Sequence, residues 1–167
     1  MRTIGVISDT HGLLRPEALA ALQGSALILH AGDVGDARIL DTLARIAPVH
    51  AVHGNTDYGE LRARLPRTVA VDLGSPDGRV GDGGASGPLA WVHHGDRELD
   101  LDPAGAGIAL VVSGHTHKPL VEERGGVLYL NPGSAGPRRF TLPATVARVR
   151  VEEGGAIRIE LLPLEER

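Results

Sequence analysis

Asp9, His11, Asp33, Asn55, His94, His115 and His117 are the residues in this sequence best suited to chemistry. They fall in five short clusters: Asp9-Thr10-His11, Gly32-Asp33, Gly54-Asn55-Thr56-Asp57, His94-Gly95 and Gly114-His115-Thr116-His117. Together they offer carboxylate oxygen, amide oxygen and imidazole nitrogen, with no sulfur because the chain has no cysteine. That donor set suits Mn²⁺, Fe²⁺, Co²⁺, Ni²⁺ or Zn²⁺ better than Ca²⁺ or Mg²⁺, which prefer oxygen shells. Seven donors exceed what one tetrahedral zinc takes, whereas two ions sharing a carboxylate fit the number. Taken singly, Gly-Asp and Gly-Asn-x-Asp are ordinary turn signals, and His-x-His is often only a pair of surface or core histidines. Their joint occurrence is what points to a metal site. Asp9/His11 and His115/His117 are spaced i, i+2, and in extended chain such side chains point the same way. On that reading each pair presents two ligands to one site.

The elements that must position these clusters follow from the apolar pattern. Apolar runs at 3–8, 26–31 and 49–53 read as strands. Between them, 15–22 and 37–47 carry Ala, Leu and Ile at helical spacing, the first opened by Pro16 and closed by Gly24, the second preceded by Asp36 as N-cap. The order βαβαβ predicts a largely parallel sheet covered by helices. The second half reads as short strands at 68–73, 89–93, 109–113, 120–124, 127–130, 145–151 and 157–162, with a weak helical signal at 98–106. These predict a second sheet packed on the first, within a single domain spanning 1–167. The Gly/Pro/Ser/Asp-rich stretch 74–88 reads as a mobile hairpin loop. Each of the five clusters directly follows a predicted strand, and ligands of parallel α/β sheets bind at the carboxyl ends of strands.

Composition narrows the function further. The chain has 167 residues, 42% hydrophobic and 23% charged, enough for one domain with a core. Its net charge of −4 and its four aromatic residues, Trp91, Tyr58, Tyr129 and Phe140, give no strong nucleic-acid signature. No apolar run approaches the roughly 18 residues of a membrane span, and the N-terminus does not read as a signal peptide. A cytoplasmic protein without membrane partners is expected.

Ser8-Asp9-Thr10-His11-Gly12, His30-Ala31-Gly32-Asp33, Gly54-Asn55-Thr56-Asp57, His94-Gly95, Ser113-Gly114-His115-Thr116-His117 and Asn131-Pro132-Gly133-Ser134 occur in that order. As a set they resemble the calcineurin-like metallophosphoesterases, and most closely the small bacterial and archaeal phosphodiesterase branch. The resemblance implies an α/β fold, a four-layer α/β/β/α sandwich of two mixed sheets flanked by helices, with a dinuclear metal centre. Carried over by position, it implies that Asp9, His11 and His117 bind one ion, that Asn55, His94 and His115 bind the other, and that Asp33 bridges them. The family mechanism it implies is attack of a metal-bound hydroxide, positioned by Asp33, on a phosphorus near Asn55. Mn²⁺ is the favoured ion, and Ni²⁺, Co²⁺, Fe²⁺ and Zn²⁺ suit the same donors.

The pattern departs at Thr56, where many relatives carry a His that helps the leaving group depart. General acid catalysis is worth roughly 10²–10⁴-fold, about 3–5 kcal/mol, so its absence points to diesters. Of His93 and His94 only one can face the site, and His94 matches the family position. Asp96 stands where relatives often show another His. Asp57 reads as a residue that orients ligands, and His53 and Thr56 as substrate contacts beside Asn55. His30 reads as a packed histidine, His50 as surface, and Asn131–Ser134 as either cleft wall or structural turn. Arg97, Arg138 and Arg139 read mainly as solvated charges that could also meet an anion. The expected function is metal-dependent hydrolysis of a small phosphate ester, most closely a phosphodiester, by a protein that could form homo-oligomers. The alternatives are a phosphomonoesterase or nucleotide hydrolase, or a non-catalytic interaction scaffold like the retromer subunit that resembles this family. That subunit has lost part of the ligand set, whereas every ligand position is filled here.

Overall fold

The computed structural model of the protein describes residues 1–139 and 141–164. Strands β1 (Arg2–Ile7), β2 (Leu27–His30) and β3 (Val49–Ala51) run parallel, joined by helices α1 (Pro16–Leu22) and α2 (Ala37–Ala44). Helix α3 (Gly59–Arg64) then leads to β4 (Thr68–Asp72), β5 (Leu89–His93), β6 (Ile108–Val112), β7 (Leu120–Arg124) and β8 (Val127–Asn131). The chain ends in β9 (Thr145–Val151) and β10 (Ile157–Pro163). Two five-stranded sheets result, β10-β9-β1-β2-β3 and β4-β5-β6-β8-β7. Both are mixed: β9 runs antiparallel to β1 and β10 antiparallel to β9, while β5, β6 and β8 form a parallel centre between antiparallel edges.

The two sheets pack face to face through alternating side chains. Ile4 and Val6 of β1, Leu27 and Leu29 of β2, Val92 of β5, Leu110 and Val112 of β6 and Val149 of β9 form one buried cluster between them. Each such side chain fully withdrawn from water contributes roughly 1.5–3 kcal/mol. The intervening residues of the first sheet, Ile7 and Ile28, face the helices instead, meeting Ala18 and Leu22 of α1 and Ile39, Leu40 and Leu43 of α2. Helix α1 starts at a proline, whose absent N–H needs no partner in a first turn. Asp36 caps α2 by accepting from Arg38 N at 2.9 Å.

Five details differ from what the sequence pattern predicts. The last two strands, β9 and β10, extend the first sheet rather than the second, because β9 pairs antiparallel with β1 along its length. No helix covers the outer face of the second sheet among the described residues. The segment with weak helical signal forms turns, and Leu99 and Leu101 from it pack on Trp91, Val111 and Tyr129. The fourth layer is therefore irregular chain rather than helix. Helix α3 is short, burying only Leu61, too small a periodic stretch for the pattern to show. The loop at 74–88, expected to be mobile, is fastened at its neck. The buried Asp72 carboxylate accepts from Gly74 N (2.9 Å), Gly87 N (3.0 Å) and from both N (2.6 Å) and Oγ (3.0 Å) of Ser86. His50, expected at the surface, is half-buried and bonds the carbonyl of Asp77 in this loop at 2.6 Å. No helix among the described residues is long and apolar enough to cross a membrane.

Candidate metal centre

The carboxyl ends of β1, β2, β3, β5 and β6 lie at the same end of the sandwich, and each is followed by one of the polar clusters. Asp9 anchors the first group. Its side chain is wholly buried, and its Oδ2 accepts from Ser8 Oγ at 2.6 Å and from His115 N at 3.1 Å. The other oxygen, Oδ1, has no hydrogen-bond partner although it is buried. It faces His117 Nε2 at 3.3 Å and His11 Nε2 at 3.7 Å, and those two nitrogens are themselves 3.3 Å apart.

Asp33 joins this group to a second. Its Oδ1 is occupied by Thr56 N at 2.9 Å, leaving Oδ2 between His94 Nε2 (3.1 Å) and His11 Nε2 (3.7 Å). His94 Nδ1 lies 2.8 Å from Ala31 O, a carbonyl that can only accept, so Nδ1 carries the proton and the buried, unpartnered Nε2 presents its lone pair inward. His115 completes the arrangement, with Nδ1 3.2 Å from Asn55 Oδ1 and its ring edge-on to that of His94 at 5.1 Å between centroids. Two sets of potential ligand atoms emerge, Asp9/His11/His117 and Asp9/Asp33/His94, each mutually within 4.8 Å. His117 lacks the outer hydrogen bond that orients His94, since its buried Nδ1 has no partner.

Carboxylate oxygens and imidazole lone pairs at these distances repel unless a positive charge lies among them. The titration of the bare site shows the same demand. Burial pushes Asp9 up, but His11, His117 and Ser8 outweigh it and hold the carboxyl well below its usual range. Burial likewise opposes ionisation of Asp33, yet the neighbouring His94 and the N–H of Thr56 bring it down to about 2. Asp9 raises the pKa of His11; His94 is raised against its burial by Asp33 and Ala31 O. A donor set of hard oxygens and imidazoles, with Asp9 Oδ1 and His94 Nε2 orphaned and buried, fits divalent transition-metal ions.

The backbone explains how side chains from separate strands aim inward. Asp9, His11, Asp33, His115 and His117 all have positive φ, between 45° and 70°, and they are the only described non-glycine residues that do. Non-glycine residues in this region cost of order 1–3 kcal/mol each and persist where the surroundings over-determine them. The i, i+2 pairs therefore do not lie in extended chain, as their spacing suggests. Left-handed residues turn them in, so that His117 joins Asp9 and His11 while His115 meets Asn55. Two glycines permit the close approach. A methyl group on Gly54 would collide with the carboxylate and amide of Asp33, and one on Gly114 with Ser8 Oγ and Asp9 Oδ2.

Further residues hold the loops. The buried Asp57 carboxylate accepts from Val34 N (3.2 Å), Gly35 N (3.0 Å) and Gly54 N (2.8 Å), so it couples the Asp33 turn to the Asn55 turn. Asn131 Nδ2 donates to Gly114 O and Thr116 Oγ1, and Ser134 Oγ donates to Asp9 O, which makes that turn a brace for both histidine loops. Ser8 and Thr10 carry roles that sequence reasoning did not assign. Their signal was their place inside the Asp9 motif, Ser8 bonding Asp9 itself and Thr10 bonding His30 and Val34 O. His93 shares the face of Trp91 and points away from His94. His53, Asp96 and Arg97 line a cavity beside Asn55, Thr56 is exposed, and Arg139 lies near enough to His11 to oppose its protonation.

Comparison with known proteins identifies the family. The chain is 37% identical over 169 residues to a probable metallophosphoesterase of Methanocaldococcus jannaschii, covering 98% of this chain and 82% of that protein. Its fold superposes on a structure described as a novel archaeal phosphodiesterase with TM-score 0.73 at 22% identity, covering 96% of this chain and 99% of that one. It also superposes on a Vps29 variant from Entamoeba histolytica with TM-score 0.70 at 21% identity, covering 98% and 99%. The calcineurin-like phosphoesterase superfamily domain matches residues 1–154. The chain accordingly belongs to the calcineurin-like phosphoesterase superfamily, in its small archaeal branch.

Proposed function

We propose that this metal-dependent phosphoesterase is a phosphodiesterase that works with two divalent transition-metal ions, Mn²⁺ foremost. The observation that carries the reading is the confinement of every described left-handed non-glycine residue to the ligand cluster. Backbone strain there has a purpose only if the inward-facing atoms are held for a ligand. Asp9, His11 and His117 would hold one ion, and Asn55, His94 and His115 the other. Asp33, whose Oδ2 faces both His11 and His94, would serve both ions.

When bound, such ions supply Lewis acidity and lower the pKa of water from about 15.7 towards about 7. The remaining work falls to the chain. Ala31 O fixes the tautomer of His94, and Thr56 N pins Asp33 so that one oxygen alone faces the ligands. Ser8 and His115 N do the same for Asp9. Asn55 is exposed at the cleft with Oδ1 turned to His115, which leaves its Nδ2 to donate to a phosphoryl oxygen. Ser8 and Ser134 are both engaged with Asp9, and the chain has no cysteine. These features support direct hydrolysis by water, with no covalent enzyme intermediate.

Diester preference rests on Thr56, which supplies no ionisable acid for a poor leaving group, and is supported by the likeness in fold to an archaeal phosphodiesterase. The test is hydrolysis of bis-p-nitrophenyl phosphate by chelator-stripped protein with and without Mn²⁺, with His117→Ala as control. Activity should require the metal and vanish in the variant. A folded protein inactive with Mn²⁺, Co²⁺ and Ni²⁺ would replace this reading with that of a scaffold.

A further inference from the structure

Beside the candidate ligand Asn55 lies a cavity of about 100 Å³ lined by His53, Gly54, Asn55, Arg62, Arg67, Asp96 and Arg97. Three arginines and one aspartate, all exposed, line it, although the chain as a whole carries a net charge of −4. They come from separate parts of the sequence. Arg62 sits in the last turn of α3, Arg67 immediately precedes β4, and Arg97 follows β5. The antiparallel register Thr68↔His93 brings the last two together, and His53 N donates to Pro66 O at 3.0 Å, tying this wall to the Asn55 turn. Arg67 lies 3.7 Å from Asp100. A second, smaller cavity shares Arg67, Asp96 and Arg97 and reaches His94. The arginine-lined space opens beside the candidate metal centre, since Asn55 lines it and also lies 3.2 Å from His115. It is well below the 300–1,000 Å³ of a pocket for a whole ligand, so it suits one compact group of a molecule whose remainder lies elsewhere. Planar guanidinium forks match phosphate oxygens two at a time.

We propose that this cavity binds a second phosphate of the substrate, so that the preferred substrate is a phosphodiester bearing a further phosphate on the arm that leaves the metal site past Asn55. The proposal rests on the phosphodiesterase reading and names its substrate class. It is tested with two chromogenic substrates that differ only in that group, thymidine 5′-(p-nitrophenyl phosphate) and its 3′-phosphorylated form, on the Mn²⁺-loaded protein. The 3′-phosphate should lower KM about 10–100-fold, the range expected for a charge-assisted contact. Arg62→Gln combined with Arg97→Gln should bring the two substrates to a common KM. Binding of thymidine 3′,5′-bisphosphate and thymidine 5′-phosphate to the same proteins, followed by calorimetry, gives a readout without turnover. Hydrolysis of neither substrate, with the bisphosphate still bound more tightly and the advantage lost in the double variant, would overturn the esterase reading and uphold the cavity. Equal KM and equal binding for the two members of each pair, or an advantage that survives the double variant, would overturn the cavity proposal.

Discussion

Replacing His30 by Gln should flatten the acid limb of the protein's stability curve. The His30 ring is completely buried, with Nδ1 accepting from Gly32 N at 3.1 Å and Nε2 3.0 Å from Thr10 Oγ1. Thr10 passes its own hydroxyl proton to Val34 O at 2.8 Å, so Nε2 must be the donor and the imidazole is neutral. Burial in this setting pulls its pKa from 6.5 down to about 4. A proton added to Nδ1 would also confront the Gly32 N–H. Because the folded pKa lies below the unfolded one, the unfolded chain takes up the proton first. The stability associated with His30 is complete above pH 6.5 and is lost as pH falls towards 4. At about 1.4 kcal/mol per pH unit across that window, the loss reaches about 3 kcal/mol.

His11 and His94 act in the opposite sense. Their pKa values are raised in the metal-free protein, so their contribution is present below pH 6.5 and fades as pH rises. Asp9 and Asp33, both held low, weaken the fold only below about pH 4. The difference between wild type and His30→Gln therefore isolates His30 between pH 4.5 and 7.5. Gln keeps a donor for Thr10 but leaves the buried Gly32 N–H without an acceptor, a cost of about 1–3 kcal/mol at neutral pH. Urea unfolding of chelator-stripped protein at several pH values in this range provides the measurement. The variant should be less stable at pH 7.5 and should converge on wild type, or overtake it, near pH 4.5. Stability curves that stay parallel would refute the assignment of the acid limb to this buried ring.

Four other outcomes follow from the site. Mn²⁺ at a hundred times its dissociation constant should stabilise the native protein by about 2.7 kcal/mol, raising Tm by roughly 5–10 °C; His94→Ala should lose most of that shift in a thermal melt. Gly114→Ala sets a methyl group against Ser8 Oγ and Asp9 Oδ2, and should weaken Mn²⁺ binding at least tenfold by titration while the far-ultraviolet spectrum stays native. Asp57→Asn removes a charged acceptor from three backbone donors; urea unfolding should show a loss of about 2–3 kcal/mol, and metal affinity should fall about 10–100-fold. Thr56→His should raise activity on p-nitrophenyl monoester relative to diester, towards the roughly 10²-fold of a modest general acid; an unchanged ratio would detach Thr56 from substrate choice.

The candidate cluster was legible in the sequence because each polar motif directly follows an apolar run. Asp9, His11, Asp33, His94 and His117 come together after β1, β2, β5 and β6, and His115 meets Asn55 beside them. The membership of β9 was not legible. Its alternating pattern serves either sheet equally, and only pairing with β1 over residues 147–151 decides it. The neck of the loop at 74–88 was hidden for a similar reason: Asp72 looks like any strand-end carboxylate until the chain returns to bring Ser86 and Gly87 to it. Arg97 was named as a charge that could meet an anion, but Arg62 and Arg67 were not, because α3 and the turn after it carry almost no periodic signal and only the β4–β5 register sets Arg67 beside Arg97.

The one spacing argument that failed bears most directly on how the site works. Extended chain would have pointed Asp9 with His11, and His115 with His117, without cost. The protein instead holds Asp9, His11, Asp33, His115 and His117 in left-handed conformations, against the local preference of each. Such strain survives only if the rest of the fold enforces it, and the enforcing contacts are visible. Asp9 N and His11 N donate to Gly32 O (3.0 Å) and Asp33 O (2.9 Å), Gly114 N donates to His94 O (2.9 Å), and Ala135 N to Ser8 O (3.0 Å). Each bond links the loop of one sheet strand to the loop of another, so no ligand turn is held by its own strand alone. The burial of the intersheet core thereby opposes both the backbone strain and the repulsion among inward-facing lone pairs. A site assembled this way is organised before a cation arrives. Binding energy that a flexible loop would spend on ordering itself remains for the ion.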